Sequence, residues 1–180
     1  YAQQQRVAVI NTLDDGEPSI KHLELSYLTD KLRETAIDIL PKQHYGVMTT
    51  ESIVAFLGSE ERAVKVCREA SCLAELGRMV SADYVAQARI GRFGKDLTIK
   101  TELYDTKNGN LIGSFVGYSK DIYGLLALIE EKAPSLFKQM PSVSGSPTAA
   151  PPAVAFVAPQ QDITPPPPPI RGSGDNPKAV

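Results

Sequence analysis

The sequence predicts an α+β fold of two layers, in the order β-α-β-α-α-β-β-β-α, with an antiparallel three-strand meander and helices packed on the sheet. Three observations carry this expectation. Apolar residues recur at helical spacing from Leu25 to Leu40 and again from Ile122 to Phe137. Residues 96–106 alternate, with Leu97, Ile99, Thr101 and Leu103 on one side and Thr98, Lys100, Glu102 and Tyr104 on the other. Asn108-Gly109, between two strand-like runs, is a strong hairpin signal. Strands grouped in succession favour helices laid on an antiparallel sheet over a doubly wound arrangement.

The elements follow in order. "RVAVINTL" (6–13) reads as a buried first strand, closed by the turn-forming "DDGEPS". A helix then runs from Leu25 through Leu28, Leu32, Ala36, Ile39 and Leu40, and Pro41 ends it because the residue before a proline is pushed out of the α region. "HYGVMTT" is a second short strand. Thr50 is placed to cap "ESIVAFLG", with Ile53, Phe56 and Leu57 on its inner side. Ser59 and the acids after it open a helix through "EERAVKVC", and a further helical piece, "CLAELGRMV", runs to Val80. The meander comprises 82–93, 96–106 and 110–119, joined at Gly94-Lys95 and at "KNGN". Ser119 is expected to cap the last helix, with Pro134 bending it.

Composition divides the chain near residue 140. Residues 1–140 suit one domain, whereas 141–180, rich in Pro, Ala, Ser and Gly, read as a disordered linker. Its "TPPPPPI" favours stiff polyproline II, so the tail could span on the order of 100 Å. The start at "YAQQQ", without Met, points to a mature or excised fragment. No run reaches the roughly 20 apolar residues of a bilayer span. With 19 basic and 21 acidic side chains interspersed and a net charge of -2, no extended cationic field exists for nucleic acid.

The residues offer little catalytic chemistry. His22 lies in a polar loop and His44 at a strand start, and no nucleophile elbow accompanies them. "GRFGK" (91–95) is a strand-to-strand turn with no following helix to point amides at phosphate. Catalytic residues, metal ligands and cofactors are all expected to be none. Cys67 and Cys72, in "CREASC", have neither partners for zinc nor redox spacing, which leaves free thiols or a disulfide. In one continuous helix their Cα atoms would be roughly 8 Å apart, so a disulfide requires a helix break, for which Ser71 would be a cap.

The stretch "SCLAELGRMVSADYVAQARIGRFGKDLTIKTELYDTKNGNLIGS", with "RVAVINTLDDG" and "TTESIVAFL" before it, resembles the TolB amino-terminal-like domains and their relatives. Those relatives are the curli-secretion-channel lipoprotein (CsgG) and the penicillin-binding-protein activator lipoproteins. The resemblance covers residues 6 to about 138 and excludes the tail. It implies a periplasmic envelope module that binds other proteins and has no catalytic residues to carry over. It also makes the Cys67–Cys72 disulfide the preferred pairing, as an oxidising compartment allows. The chain lacks a lipobox cysteine near its start and long amphipathic strands for a membrane barrel, so pore formation is not expected.

The function expected is therefore a non-enzymatic protein-interaction module of the periplasm, tethered by the Pro-rich linker. Outer-membrane association would come through segments outside this chain. Its partners would be other envelope proteins, with peptidoglycan nearby, and no nucleic acid. An open sheet edge or exposed apolar side chains on the outer sheet face would do the binding. Tyr84, Tyr104, Phe115 and Tyr118 are the candidate contact residues, although burial statistics place each in the core more often than at a contact. The alternative is a small-ligand or glycan groove, and a hydrolase built around His44 stands third.

Overall fold

The computed structural model describes residues 3–17, 19–58 and 67–142. The elements are β1 (Gln5–Asp14), α1 (His22–Ile39), β2 (Tyr45–Val47), α2 (Thr50–Leu57), α3 (Ala70–Met79), β3 (Tyr84–Phe93), β4 (Asp96–Asp105), β5 (Leu111–Ser119) and α4 (Ile122–Phe137). The helix expected through "EERAVKVC" and the Pro-rich tail from residue 143 lie outside the described residues.

One open sheet of five strands runs β2-β1-β3-β4-β5. β1 is parallel to both β2 and β3, and each of these pairings requires a helical crossover, supplied by α1 and by the α2–α3 segment. β3, β4 and β5 form the antiparallel meander that the alternation and the Asn108-Gly109 turn predict. Gly94 and Gly109 take positive φ in the two hairpin turns, the left-handed geometry that glycine adopts at least cost.

The α+β class and the meander are as the sequence predicts; what the sequence reading did not separate is the division of the helices. α1 and α4 cover the first face, where Leu28, Leu32, Leu125, Ile129 and Phe137 pack on Val7, Val9, Ala86, Ile90, Ile99 and Leu103. α2 and α3 lie on the second face, where Ile53, Leu57, Leu73 and Leu76 pack on Ala8, Ile10, Val85 and Tyr104. The second pair thus adds a third layer at the β1 end of the sheet. That double cover explains why Val7 to Ile10 form an unbroken apolar run, since neither side of β1 meets water. Each large side chain so buried contributes about 1.5–3 kcal/mol.

Three caps fall a residue or two away from their expected places. Thr49, not Thr50, caps α2, its hydroxyl accepting from the Ser52 amide at 3.2 Å. Asp121, not Ser119, caps α4, its carboxylate accepting from the Gly124 amide at 2.8 Å, and it adds a negative charge where the helix dipole favours one. Ser119 supports it by accepting from the Asp121 amide at 3.3 Å. α3 begins at Ala70 after Glu69, two residues before the Cys72 start that Ser71 would have capped. Cys67 therefore precedes the helix, its Cα 5.5 Å from that of Cys72, and the two form a disulfide. Phe56, expected on the inner side of α2, is exposed, because this short helix buries only Ile53 and Leu57.

β5 lies close against α4 at Gly117, where a methyl group would fall 2.7 Å from the Leu128 Cδ1, so the strand can approach the helix there only because the position carries no side chain. At Gly113 a methyl group would meet only the end of the Gln139 side chain, beyond the helix.

Candidate interaction face

Among the described residues, the second face of the sheet is covered at one end and bare at the other. The register sets its side chains in rows across β3, β4 and β5: Val85, Tyr104 and Leu111; then Gln87, Glu102 and Ser114; then Arg89, Lys100 and Val116; then Gly91, Thr98 and Tyr118. The core formed with α2 and α3 takes in Val85 and Tyr104 of the first row. Beyond it, among the described residues, large apolar groups face solvent: Phe93 is 75% exposed, Tyr118 58%, Leu111 50% and Val116 45%. A cluster of this kind is more informative than scattered exposed residues, since contiguous apolar patches mark interaction surfaces.

Phe93 and Tyr118 meet edge to face, with ring centroids 6.3 Å apart and planes at 63°. Beside them lies a shallow depression of about 300 Å³, lined by Asp15, Arg89, Thr98, Lys100, Val116 and the two rings. Its floor is small because Gly91 faces Thr98 across the strands.

Charge is set unevenly around this patch. The largely buried Glu102 carboxylate takes Lys100 Nζ at 2.5 Å on one oxygen and Arg89 Nη2 at 3.4 Å on the other. Two cations on one carboxylate leave a positive charge at the middle of the row. The neighbouring cations have their own acids: Arg68 meets Asp15 at 3.0 Å and Arg92 meets Glu17 at 2.6 Å. The Arg92 guanidinium, helped by the Ser19 hydroxyl, holds the Glu17 carboxyl down at about 2 and so ties the loop after β1 to the end of β3. Burial pushes the Tyr104 phenol upward, the Glu102 carboxylate adding to the effect.

The four aromatic residues singled out from sequence divide by face and depth. Tyr84 and Tyr104 are 5% and 6% exposed; Tyr84 packs edge to face with Tyr45 in the first-face core, and Tyr104 belongs to the second-face core. Phe115 is partly buried on the first face. Tyr118 alone of the four stands on the bare face. The residues that accompany it there, Phe93, Val116 and Lys100, were not among the candidates. The hairpin register carries the signal for Phe93: a two-residue turn at Gly94-Lys95 pairs it with Asp96 and puts it on the side of Thr98 and Lys100.

A larger hollow, of about 510 Å³, lies between α1 and α4 beside Tyr27 and Tyr123. A cavity of about 360 Å³ lies between the C-terminal ends of α1 and α4, lined by Leu40, His44, Tyr45, Phe137 and Met140, with no carboxylate in its wall. His44 thus lacks the acid partner of a hydrolytic site, and His22 is exposed at the start of α1. Among the described residues no three His, Cys, Asp or Glu side chains are grouped to hold a metal, and no helix is long and apolar enough to cross a membrane. Leu23, Tyr27 and Tyr123 are exposed on the helical side.

No family model and no curated protein matches the chain. Among solved structures it is similar to the LpoB C-terminal domain from Escherichia coli, at 15% identity and a TM-score of 0.49, over 67% of this chain and 86% of that one. It is similar to lipoprotein GNA1162 from Neisseria meningitidis, at 16% identity and a TM-score of 0.48, over 73% of this chain and 98% of that one. TolB from Acinetobacter baumannii is similar at 11% identity and a TM-score of 0.40, over 73% of this chain and 28% of that one. TolB and the penicillin-binding-protein activator LpoB are of the kinds that the sequence resembles. These likenesses concern the course of the chain and assign no residue a role.

Proposed function

We propose that this chain is a non-enzymatic protein-interaction module of the bacterial cell envelope, working in the periplasm, with residues 141–180 as its Pro-rich tether. The observation that carries the reading is the bare half of the second sheet face, where Phe93, Tyr118 and Val116 stand exposed around the Lys100–Glu102–Arg89 cluster. Aromatic groups beside a charged, partly desolvated centre are what protein interfaces use as anchors. The Cys67–Cys72 disulfide supports an oxidising compartment, and the sequence resemblance supplies the envelope setting. The ligand alternative has the cavity beside His44, whose wall also carries Lys138 and Ser142; it holds no carboxylate, and the Tyr45 hydroxyl there already donates to the Pro141 carbonyl.

The test is capture from separated envelope and cytosolic extracts by the full chain and by a Phe93→Ser, Tyr118→Ser double variant. The reading expects envelope proteins held by the wild-type chain and lost by the variant. Cytosolic proteins alone, or equal capture by both chains, would count against it.

A further inference from the structure

We propose that β5 is a docking edge that takes one extended, acidic segment of a partner protein as a sixth strand. This rests on the interaction-module reading and adds to it the mode of binding and the partner's chemistry. β5 is the outer strand of the sheet, with β4 on one side and no strand on the other among the described residues. Edge strands are ordinarily guarded by charge, proline, shortness or a bulge, because their unpaired amides and carbonyls invite another chain. The opposite edge, β2, is guarded by its length of three residues. β5 is nine residues long, and "LIGSFVGYS" contains neither a charged residue nor a proline; its one irregularity, at Ile112, lies near its start and leaves Gly113 to Ser119 in regular register. At Gly117 the strand lies close beneath Leu128 of α4, so that face of β5 is packed on the helix.

A strand laid along β5 would span about 30 Å and extend the existing rows by one side chain each. Beside Tyr118 it would place a group on the Phe93–Tyr118 pair, and beside Val116 a group facing the Lys100 side of the face. The charges there are Arg89 and Lys100 on the single Glu102 carboxylate, which leaves one positive charge; Asp15 is paired with Arg68, and past the strand end Lys120 is offset by Asp96, the register partner of Phe93. An acidic side chain at the Val116 row complements that excess, and a basic one opposes it. The occupant is therefore apolar or aromatic beside Tyr118 and carries a carboxylate two residues away on the same face, beside Val116.

Amide hydrogen exchange by NMR on the full chain tests this, with two synthetic nonapeptides that alternate Val and Thr and differ only in a central Glu or Lys. The expected result is slowed exchange at alternate amides of residues 111–119 with the Glu peptide, no change in β3, and binding about tenfold tighter than that of the Lys peptide. Three results would overturn the proposal. The first is equal or absent binding of the two peptides. The second is perturbation of Phe93 and Tyr118 without alternating protection, which would mean docking on the face. The third is protection that grows with the chain's own concentration, which would mean a second copy. Each of these leaves the interaction-module reading to be judged by its own capture experiment.

Discussion

The rings of Phe93 and Tyr118 touch across an intervening strand: Phe93 belongs to β3, Tyr118 to β5, and β4 runs between them. They reach each other because the row beneath is low, with Gly91 and Thr98 in the two positions beside Tyr118. Apolar groups held in the open, and holding little together, are available for something else.

Phe93→Ala and Tyr118→Ala are each expected to cost less than about 1 kcal/mol of stability, since the pair interaction is small and both rings already meet water. Leu103→Ala, in the first-face core, is expected to cost about 2–5 kcal/mol. Urea denaturation of the three variants measures the contrast. Losses of similar size would show that the two rings are structural.

Reduction of the Cys67–Cys72 bond is expected to remove about 2 kcal/mol, from the closure entropy of so short a loop. Thermal melting with and without reductant should show the midpoint falling by several degrees. The face formed by Phe93 and Tyr118, on other elements, should keep its binding.

Gly117→Ala is expected to destabilise by about 1–3 kcal/mol, because the added methyl meets Leu128 at 2.7 Å and forces α4 off β5. Calorimetric or denaturant unfolding checks it.

Glu17 sets an acid-side dependence. Its carboxyl is held at about 2 beside Arg92, against an ordinary value of 4.5, so the folded state favours the ionised form. The stability this contributes is present above about pH 4.5 and is lost as pH falls towards 2. In Arg92→Gln that part of the pH slope should shrink, while the slope above pH 5 stays as in the wild-type chain. Equal acid slopes in the two chains would contradict the pairing.

Much of the fold is legible in the sequence where a residue's neighbours are local. The periods of α1, β4 and α4 and the Asn108-Gly109 turn are local patterns, and their elements stand where those patterns put them. Caps are less so, since Thr49 and Thr50, or Ser119 and Asp121, are equally good residue types, and only the direction of the entering chain decides between them. The face is least legible. Whether Tyr104 is core and Tyr118 surface depends on how far α2 and α3 extend over the sheet, and periodicity gives them the same parity. Phe93 joins Tyr118 only once β4 is known to lie between their strands.

The most direct test of the bare face as the interaction surface is site-resolved photo-cross-linking in envelope extract, with a photoreactive residue at position 93, 118 or, as an equally exposed control on the helical side, 27. The account predicts one defined envelope partner cross-linked from 93 and 118 and not from 27. Cross-linking from 27 alone, or to the same extent from all three, would contradict it.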